Sequence, residues 1–297
     1  MIKAYFLWLL KVATVLIVIL VVVAISNKKG LKGALSKGEN AVAVIELSGE
    51  IIDGKDVLAE LHAQARNDSV AGIVLRIDSP GGAVGPSQEI YRSVATLKAR
   101  KPIVASMGSV AASGGLYAAL PASKVFANRG TLTGSIGVIG QFPNLKGISE
   151  KVGFTFTTVK SGALKDVGNP FREFTLEDRE YLESMLSSVH QQFIDDVVSA
   201  RNMSREEVLR FADGRVLTGE QAKELRLIDE FGGVHEAALA VFELLGKPLP
   251  VNEAPTLLYP EERMFGLPQL VSKGKKILSQ GENLILPNLT IKTLASF

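Results

Sequence analysis

Two residues in this chain have the types and setting to do chemistry together. Ser113 lies in Ala111-Ala112-Ser113-Gly114-Gly115, and Lys165, 52 positions on, lies in Ser161-Gly162-Ala163-Leu164-Lys165-Asp166. A serine hydroxyl becomes a useful nucleophile only when a base takes its proton as it attacks. The chain holds three histidines, and none is near either motif in sequence. A desolvated lysine is the usual substitute. A free lysine, with a pKa near ~10.4, is a poor base at neutral pH. Burial beside apolar groups disfavours its charged form and lowers that value. Asp166 is in tension with this role, because a carboxylate facing the amine would raise its pKa. Asp166 is therefore expected to point away. Cysteine is absent, which excludes disulfides, thiolate catalysis and zinc-thiolate sites.

Each motif taken alone also has a plainer reading. Ser113 could be a helix N-cap, and a lysine is ordinarily a solvated surface charge. Ser106 and Ser109 compete with Ser113 as nucleophile, although the Gly-Gly after Ser113 favours it. Asp78-Ser79-Pro80-Gly81-Gly82 is either a tight turn or a nest of backbone N–H groups for an anion. Thr133-Gly134-Ser135-Ile136-Gly137-Val138 is a further glycine-bearing loop.

These loops need elements to hold them. Residues 41–47, 72–78, 102–107 and 124–127 read as strands, and 137–139 and 154–159 as further short ones. Residues 87–99 read as a helix with Ile90, Val94 and Leu97 on one face, and a small-residue helix follows Ser113 to Leu120. After Pro170 the chain turns helical, first over about 175–201. Ser204 with Glu207, and Thr218 with Gln221, are capping-box pairs opening short helices over 204–211 and 218–225. Residues 234–245 form the last helix. Strands alternating with helices indicate an α/β fold whose strand ends aim loops at a site.

The 297 residues, 46% hydrophobic, suffice for a sizeable core. The net charge of +2 is uneven: residues 1–39 carry six lysines against Glu39 alone, leaving residues 40–297 at −3. No basic stripe interleaved with aromatics runs through the body, so no nucleic-acid partner is expected. Residues 4–10 and 12–25 are apolar on either side of Lys11. Together they reach the roughly 20 residues that a transmembrane helix needs, if Lys11 snorkels to the interface. A signal peptide cleaved near Ala24-Ile25-Ser26 is the rival reading; the length of the stretch favours an anchor. Lysines flank both sides, so charge does not set the orientation. The organisation expected is an N-terminal transmembrane anchor (1–28), a linker (29–40), one catalytic body (41–250) and a C-terminal tail (251–297) holding Pro255, Pro260 and Pro268.

The ordered set Ala112-Ser113-Gly114-Gly115, Leu132-Thr133-Gly134-Ser135-Ile136-Gly137-Val138, Ser161-Gly162-Ala163-Leu164-Lys165-Asp166 and Asp213-Gly214-Arg215-Val216 resembles the signal peptide peptidase A family of serine–lysine membrane proteases, in its short single-copy form. Asp78-Ser79-Pro80-Gly81-Gly82, Leu227-Ile228-Asp229-Glu230 and Gly232-Gly233 match as well. The resemblance implies a ClpP/crotonase-like α/β fold, an N-terminal anchor in the cell (inner) membrane, and a body on the extracytoplasmic side. It implies remnant signal peptides as substrates and a homo-oligomeric ring in which serine and lysine come from neighbouring subunits. Carried over by position, Ser113 is the nucleophile, Lys165 the general base, Ser135 the residue orienting that base, and Gly82 and Gly114 the oxyanion donors. No cofactor or metal is implied. Three alternatives are a related Ser/Lys protease acting on other membrane or envelope proteins, a crotonase-type acyl-CoA enzyme, and a nonenzymatic scaffold.

Overall fold

A computed structural model describes residues 40–259. The expected anchor (1–28) and nearly all of the linker lie outside the described residues, as does most of the tail. Among the described residues, no helix is long and apolar enough to cross a membrane.

The central strands are β1 (Ala41–Ser48), β2 (Gly72–Ser79) and β3 (Ile103–Ala111), paired in parallel. Their side chains alternate between two apolar faces, as a parallel sheet covered on both sides requires. On one face Ile45, Leu75, Ile77, Ile103 and Met107 pack into the larger core. The helices α1 (Lys55–Arg66), α2 (Val84–Leu97) and α3 (Gly114–Ala119) pack into the same core. On the other face Val42, Val44, Val74 and Val104 form a smaller core with α8 (Val234–Leu244). The strand β4 (Lys124–Ala127) pairs with β3 and with β7 (Glu230–Phe231). Beyond β3 the sheet continues through β5 (Leu132–Gly134) to β6 (Val216–Thr218), and this last pairing is antiparallel.

The tail expected from residue 251 contributes to the sheet. Its strand β8 (Thr256–Leu258) pairs in parallel with β1 at the opposite edge.

Two short helices, α4 (Lys146–Lys151) and a 3-10 turn (Ala163–Asp166), precede the long helix α5 (Leu176–Arg201). Thr175 caps α5 in a reciprocal box with Asp178. The boxes of Ser204 with Glu207 and Thr218 with Gln221 open α6 (Arg205–Leu209) and α7 (Gly219–Glu224). Tyr117 of α3 packs its ring 4.5 Å from Phe193 of α5, and Tyr91 of α2 lies 5.2 Å from Tyr117. Tyr117 also donates its hydroxyl proton to Asp196. These contacts fix the middle of α5 against α2 and α3.

Two short strands expected from the sequence do not form. Residues 137–139 and 154–159 are irregular. A strand needs a paired edge and a face to bury. Ile139 and Val159 are instead 82% and 94% exposed. Phe154 and Phe156 pack edge-on against each other, and Phe156 stacks on Phe171 at 3.9 Å. The alternation in Phe154-Thr155-Phe156 thus serves a local aromatic cluster.

Candidate active site

The loops after β2 and β3 meet at one point. Ser79 accepts from the Ala112 N–H at its carbonyl (3.1 Å), and its Oγ accepts from the Gly81 N–H (3.1 Å). Asp78 accepts from the Ser109 and Val110 N–H groups at 3.3 and 3.1 Å. The Gly81-Gly82 turn is thereby pressed onto Ser113-Gly114. A Cβ at Gly81 would lie 2.7 Å from the Gly114 nitrogen and 2.9 Å from Ser113 Cβ. Ile51 brackets Gly82 from the other side: its N–H donates to the Gly81 carbonyl, and its carbonyl accepts from the Ala83 N–H. Neither the Gly82 N–H nor the Gly114 N–H has a hydrogen-bond acceptor among the described residues. Two free donors beside one serine hydroxyl suit a developing oxyanion.

Ser113 stands at the junction of β3 and α3 with φ 51° and ψ −118°. A non-glycine residue at positive φ costs free energy of order 1–3 kcal/mol and persists only where its surroundings enforce it. The enforcing bonds are Ser113 N–H to Gly134 carbonyl and Tyr117 N–H to Ser113 carbonyl, both 2.9 Å. Such a turn presents the serine hydroxyl at the top of the sheet. Ser135 is also at positive φ, 54°, with its N–H donating to the Arg215 carbonyl at 2.7 Å. This bond is how the Asp213-Gly214-Arg215-Val216 motif supports the Ser135 loop.

Ser113 opens onto two cavities. One, about 580 Å³, has Ser113, Ser135, Gly82, Asp213 and His190 in its wall. The other, about 30 Å³, is a narrow apolar recess between Val84, Val138, Val189, Tyr117 and Phe193. The structure therefore brings together Ser113, Ser135, Gly82 and Gly114. Ser106, a rival nucleophile, is fully buried and accepts a hydrogen bond from Arg76 at 3.1 Å. Ser109 is exposed beside Asp78 and lines neither cavity.

Sequence reasoning missed His190, which α5 places in the wall of the larger cavity. Its Nε2 is 3.2 Å from the Ile136 carbonyl, holding the loop that follows Ser135. No local motif marks it; only the packing of α5 could have found it.

Lys165 is absent from both cavity walls. It is exposed on the 3-10 turn, with its N–H bonded to the Gly162 carbonyl at 3.1 Å. That turn is tied to the start of α5 through Arg172 and Asp178. The Ser113 cavities are walled by Val189, His190 and Phe193, about 18 Å further along the same helix. Ser113 and Lys165 therefore share neither cavity wall within the chain. Asp166 does not reach toward Lys165: its carboxylate accepts from Arg172 and Lys160.

Arg172, and then Lys160, hold the Asp166 carboxyl down to about 2, and Arg172 lowers Asp178 further still. A carboxylate depressed in the folded state stabilises it above the unfolded pKa of about 3.9 and loses that contribution as pH falls through the folded value. The amides of residues 163–178 should therefore stay protected from hydrogen exchange down to about pH 4 and lose protection between about pH 4 and 2. Protection that is flat across this window would contradict the assigned ion pairs.

A serine on an enforced turn, two free glycine N–H groups and an apolar recess, all at the strand ends of a mixed α/β sheet, define the site of a serine hydrolase. The chain belongs to peptidase family S49, the signal peptide peptidase A family, and is a serine peptidase: the family model Peptidase family S49 matches residues 95–246. That match contains Ser113, Ser135 and Lys165. A protein of Synechocystis sp. named by inference as a protease is 42% identical over 198 residues, 66% of this chain and 71% of that one. A protein of Enterococcus faecium, named by inference as the signal peptide peptidase SppA, is 35% identical over 71% of this chain and 62% of its own length. The chloroplastic serine protease SPPA of Arabidopsis thaliana is 31% identical over 86% of this chain and 40% of its own. A ClpP1 variant from Listeria monocytogenes aligns with a TM-score of 0.46 at 16% identity over 66% of this chain and 94% of that one, too distant to fix the fold type.

Proposed function

We propose that the chain is a membrane-anchored serine endopeptidase whose site is completed by a second copy of itself. Ser113 is the nucleophile, and Lys165 of a neighbouring copy is its base. The observation that carries this reading is the split: Ser113 sits ready beside free Gly82 and Gly114 N–H groups, while Lys165 is exposed and outside both cavity walls. The segment that precedes Lys165 in the chain leaves Ile148, Val152, Phe154 and Val159 all more than half exposed. Several large apolar side chains left exposed in one segment suit contact with a partner. A neighbour seated over the exposed Lys165 would desolvate its amine, which favours the neutral form.

Neutral Lys165 takes the Ser113 proton as Oγ attacks the peptide carbonyl. The Gly82 and Gly114 N–H groups hold the oxyanion, each contributing about 3 kcal/mol to the transition state. Ser135, in the same cavity wall as Ser113, accepts or donates a hydrogen bond to orient the arriving amine. The ammonium then returns its proton to the leaving amine, and water hydrolyses the acyl-enzyme.

The substrates proposed are remnant signal peptides, met through an anchor in residues 1–28 with the body outside the cytoplasm. The apolar recess beside Ser113 supports an apolar side chain next to the scissile bond, and the apolar run of 12–25 supports the anchor. The ClpP/crotonase-like arrangement rests on the family resemblance. Other membrane or envelope proteins are the alternative substrates. To test the reading, the full-length chain is assayed on a signal-peptide-like substrate and sized by light scattering. A dilute monomer with full activity would remove the shared site.

Val189 narrows the recess. Val189→Phe should therefore shift preference toward alanine over leucine at the carbonyl side of the cut, by about 10-fold in the ratio of kcat/KM values. An unchanged ratio would mean that the recess does not hold that side chain.

A further inference from the structure

Arg172 stands outside both catalytic loops, yet it holds the turn that carries Lys165. Its Nε donates to Asp166 Oδ2 at 2.9 Å, and its Nη2 donates to Asp166 Oδ1 at 3.1 Å and to the Asp166 carbonyl at 3.2 Å. The same guanidinium reaches Asp178: Nη2 donates to Oδ1 at 2.9 Å and Nη1 to Oδ2. Nη1 also donates to the Glu173 carbonyl at 3.0 Å. One planar fork grips two carboxylates, a geometry that a lysine ammonium cannot reproduce.

Each carboxylate is anchored in turn. Asp178 is only 2% exposed; it accepts from the Thr175 N–H at 3.0 Å as part of the cap of α5. Asp166 ends the 3-10 turn, one residue after Lys165, and also accepts from Lys160 Nζ at 2.6 Å. Lys160 Nζ holds the other end of the turn by donating to the Ala163 carbonyl at 2.6 Å. The backbone of Lys165 is therefore fastened on both sides. Its side chain makes no hydrogen bond among the described residues. The two cations and two carboxylates of the cluster balance, so it places no net charge beside the amine.

We propose that Arg172 is a positioning residue for the general base: through Asp166 it fixes the Lys165 turn to the capped start of α5, and so sets where the amine enters the neighbouring copy's site. The proposal rests on the reading of Lys165 as base. Its physical basis is the tolerance of a proton transfer, since a displacement of about 1 Å can cost about 10²-fold in rate. A lysine on an exposed turn has no packing of its own to meet that tolerance. The clamp supplies it.

The test uses the full-length chain and a fluorogenic apolar peptide, comparing Arg172→Ala, Asp166→Asn and Lys165→Ala. The clamp requires kcat to fall about 10²-fold in Arg172→Ala and about 10-fold in Asp166→Asn, with KM within about 2-fold and the oligomer unchanged. Added guanidinium should restore part of kcat in Arg172→Ala and none in Lys165→Ala. Asp166→Asn keeps the Arg172–Asp178 pair, so it decides the matter even if Arg172→Ala fails to fold. Wild-type kcat in Asp166→Asn, or a loss confined to KM, overturns the clamp. Activity retained in Lys165→Ala would instead sink the reading of the base on which the clamp depends.

Discussion

Ser113→Ala and Lys165→Ala are each expected to lower kcat/KM by about 10⁴-fold or more, and the double variant to be no worse than the weaker single. The reason is that nucleophile and base act as one unit, so removing either removes the proton transfer that makes attack possible. Residual turnover comes from binding and from the Gly82 and Gly114 donors, which both variants keep. The proposed sharing of the site between two copies adds a sharper expectation. Neither variant alone can form a complete site. Under that proposal an oligomer mixed from the two can, wherever an intact Ser113 on one chain meets an intact Lys165 on the next. Random assortment of equal amounts restores about a quarter of wild-type activity when each site draws on two copies. The measurement is the activity of the co-refolded mixture against each variant alone. No recovery would place serine and lysine in the same chain, contrary to the exposure of Lys165 and its absence from the cavity walls.

Gly82→Ala is expected to lower kcat by about 10²–10³-fold, the scale of losing one oxyanion donor. A Cβ there would lie 2.3 Å from the Ile51 carbonyl oxygen, 2.6 Å from its nitrogen and 2.7 Å from its carbonyl carbon. All three are backbone atoms, so no rotamer change relieves the clash. The turn must move, and the Gly82 N–H moves with it. Because Ile51 and Ala83 bracket the turn through two backbone hydrogen bonds, stability falls as well, and unfolding in denaturant should show a lower midpoint. Gly114→Ala provides the internal control. Its Cβ would meet Ser87 Oγ at 2.4 Å but the Gly82 nitrogen only at 3.3 Å. The obstruction there is a side-chain hydroxyl, which donates to the Ala83 carbonyl at 2.9 Å. Ser87→Ala should therefore rescue much of the Gly114→Ala defect, whereas no side-chain deletion should rescue Gly82→Ala. Wild-type kcat in Gly82→Ala would show that this N–H does not serve the oxyanion.

The local sequence determined what short-range physics controls. Apolar runs over 41–47 and 72–78 became β1 and β2, because a strand buried on both faces needs little beyond its own composition. The boxes at Ser204 with Glu207 and Thr218 with Gln221 were legible because the bonding partners lie three residues apart. Ser113, Ser135 and Lys165 could be singled out because glycine-bearing motifs surround them, and family resemblance lent them roles that no spacing could. The helix α1 was not read from the sequence. The three-residue strands β5, β6 and β8 lack the length for a periodic signal, and they exist only because a neighbouring edge was free to pair. The Phe154-Thr155-Phe156 alternation pointed to a strand, but the segment pairs with no strand among the described residues, and the rings packed on each other and on Phe171.

The site divides along the same line. Residue types and order marked out Ser113, the glycine loops and Lys165 as candidates, and the family resemblance gave them their expected roles. Tertiary packing alone placed His190 in the cavity wall, left Asp166 bound to Arg172 and Lys160, and carried Lys165 away from the Ser113 cavities of its own chain. A helix advances about 1.5 Å per residue whatever its side chains are. The length of α5 thereby separates its start, to which the Lys165 turn is tied, from the residues further along it that wall the Ser113 cavities.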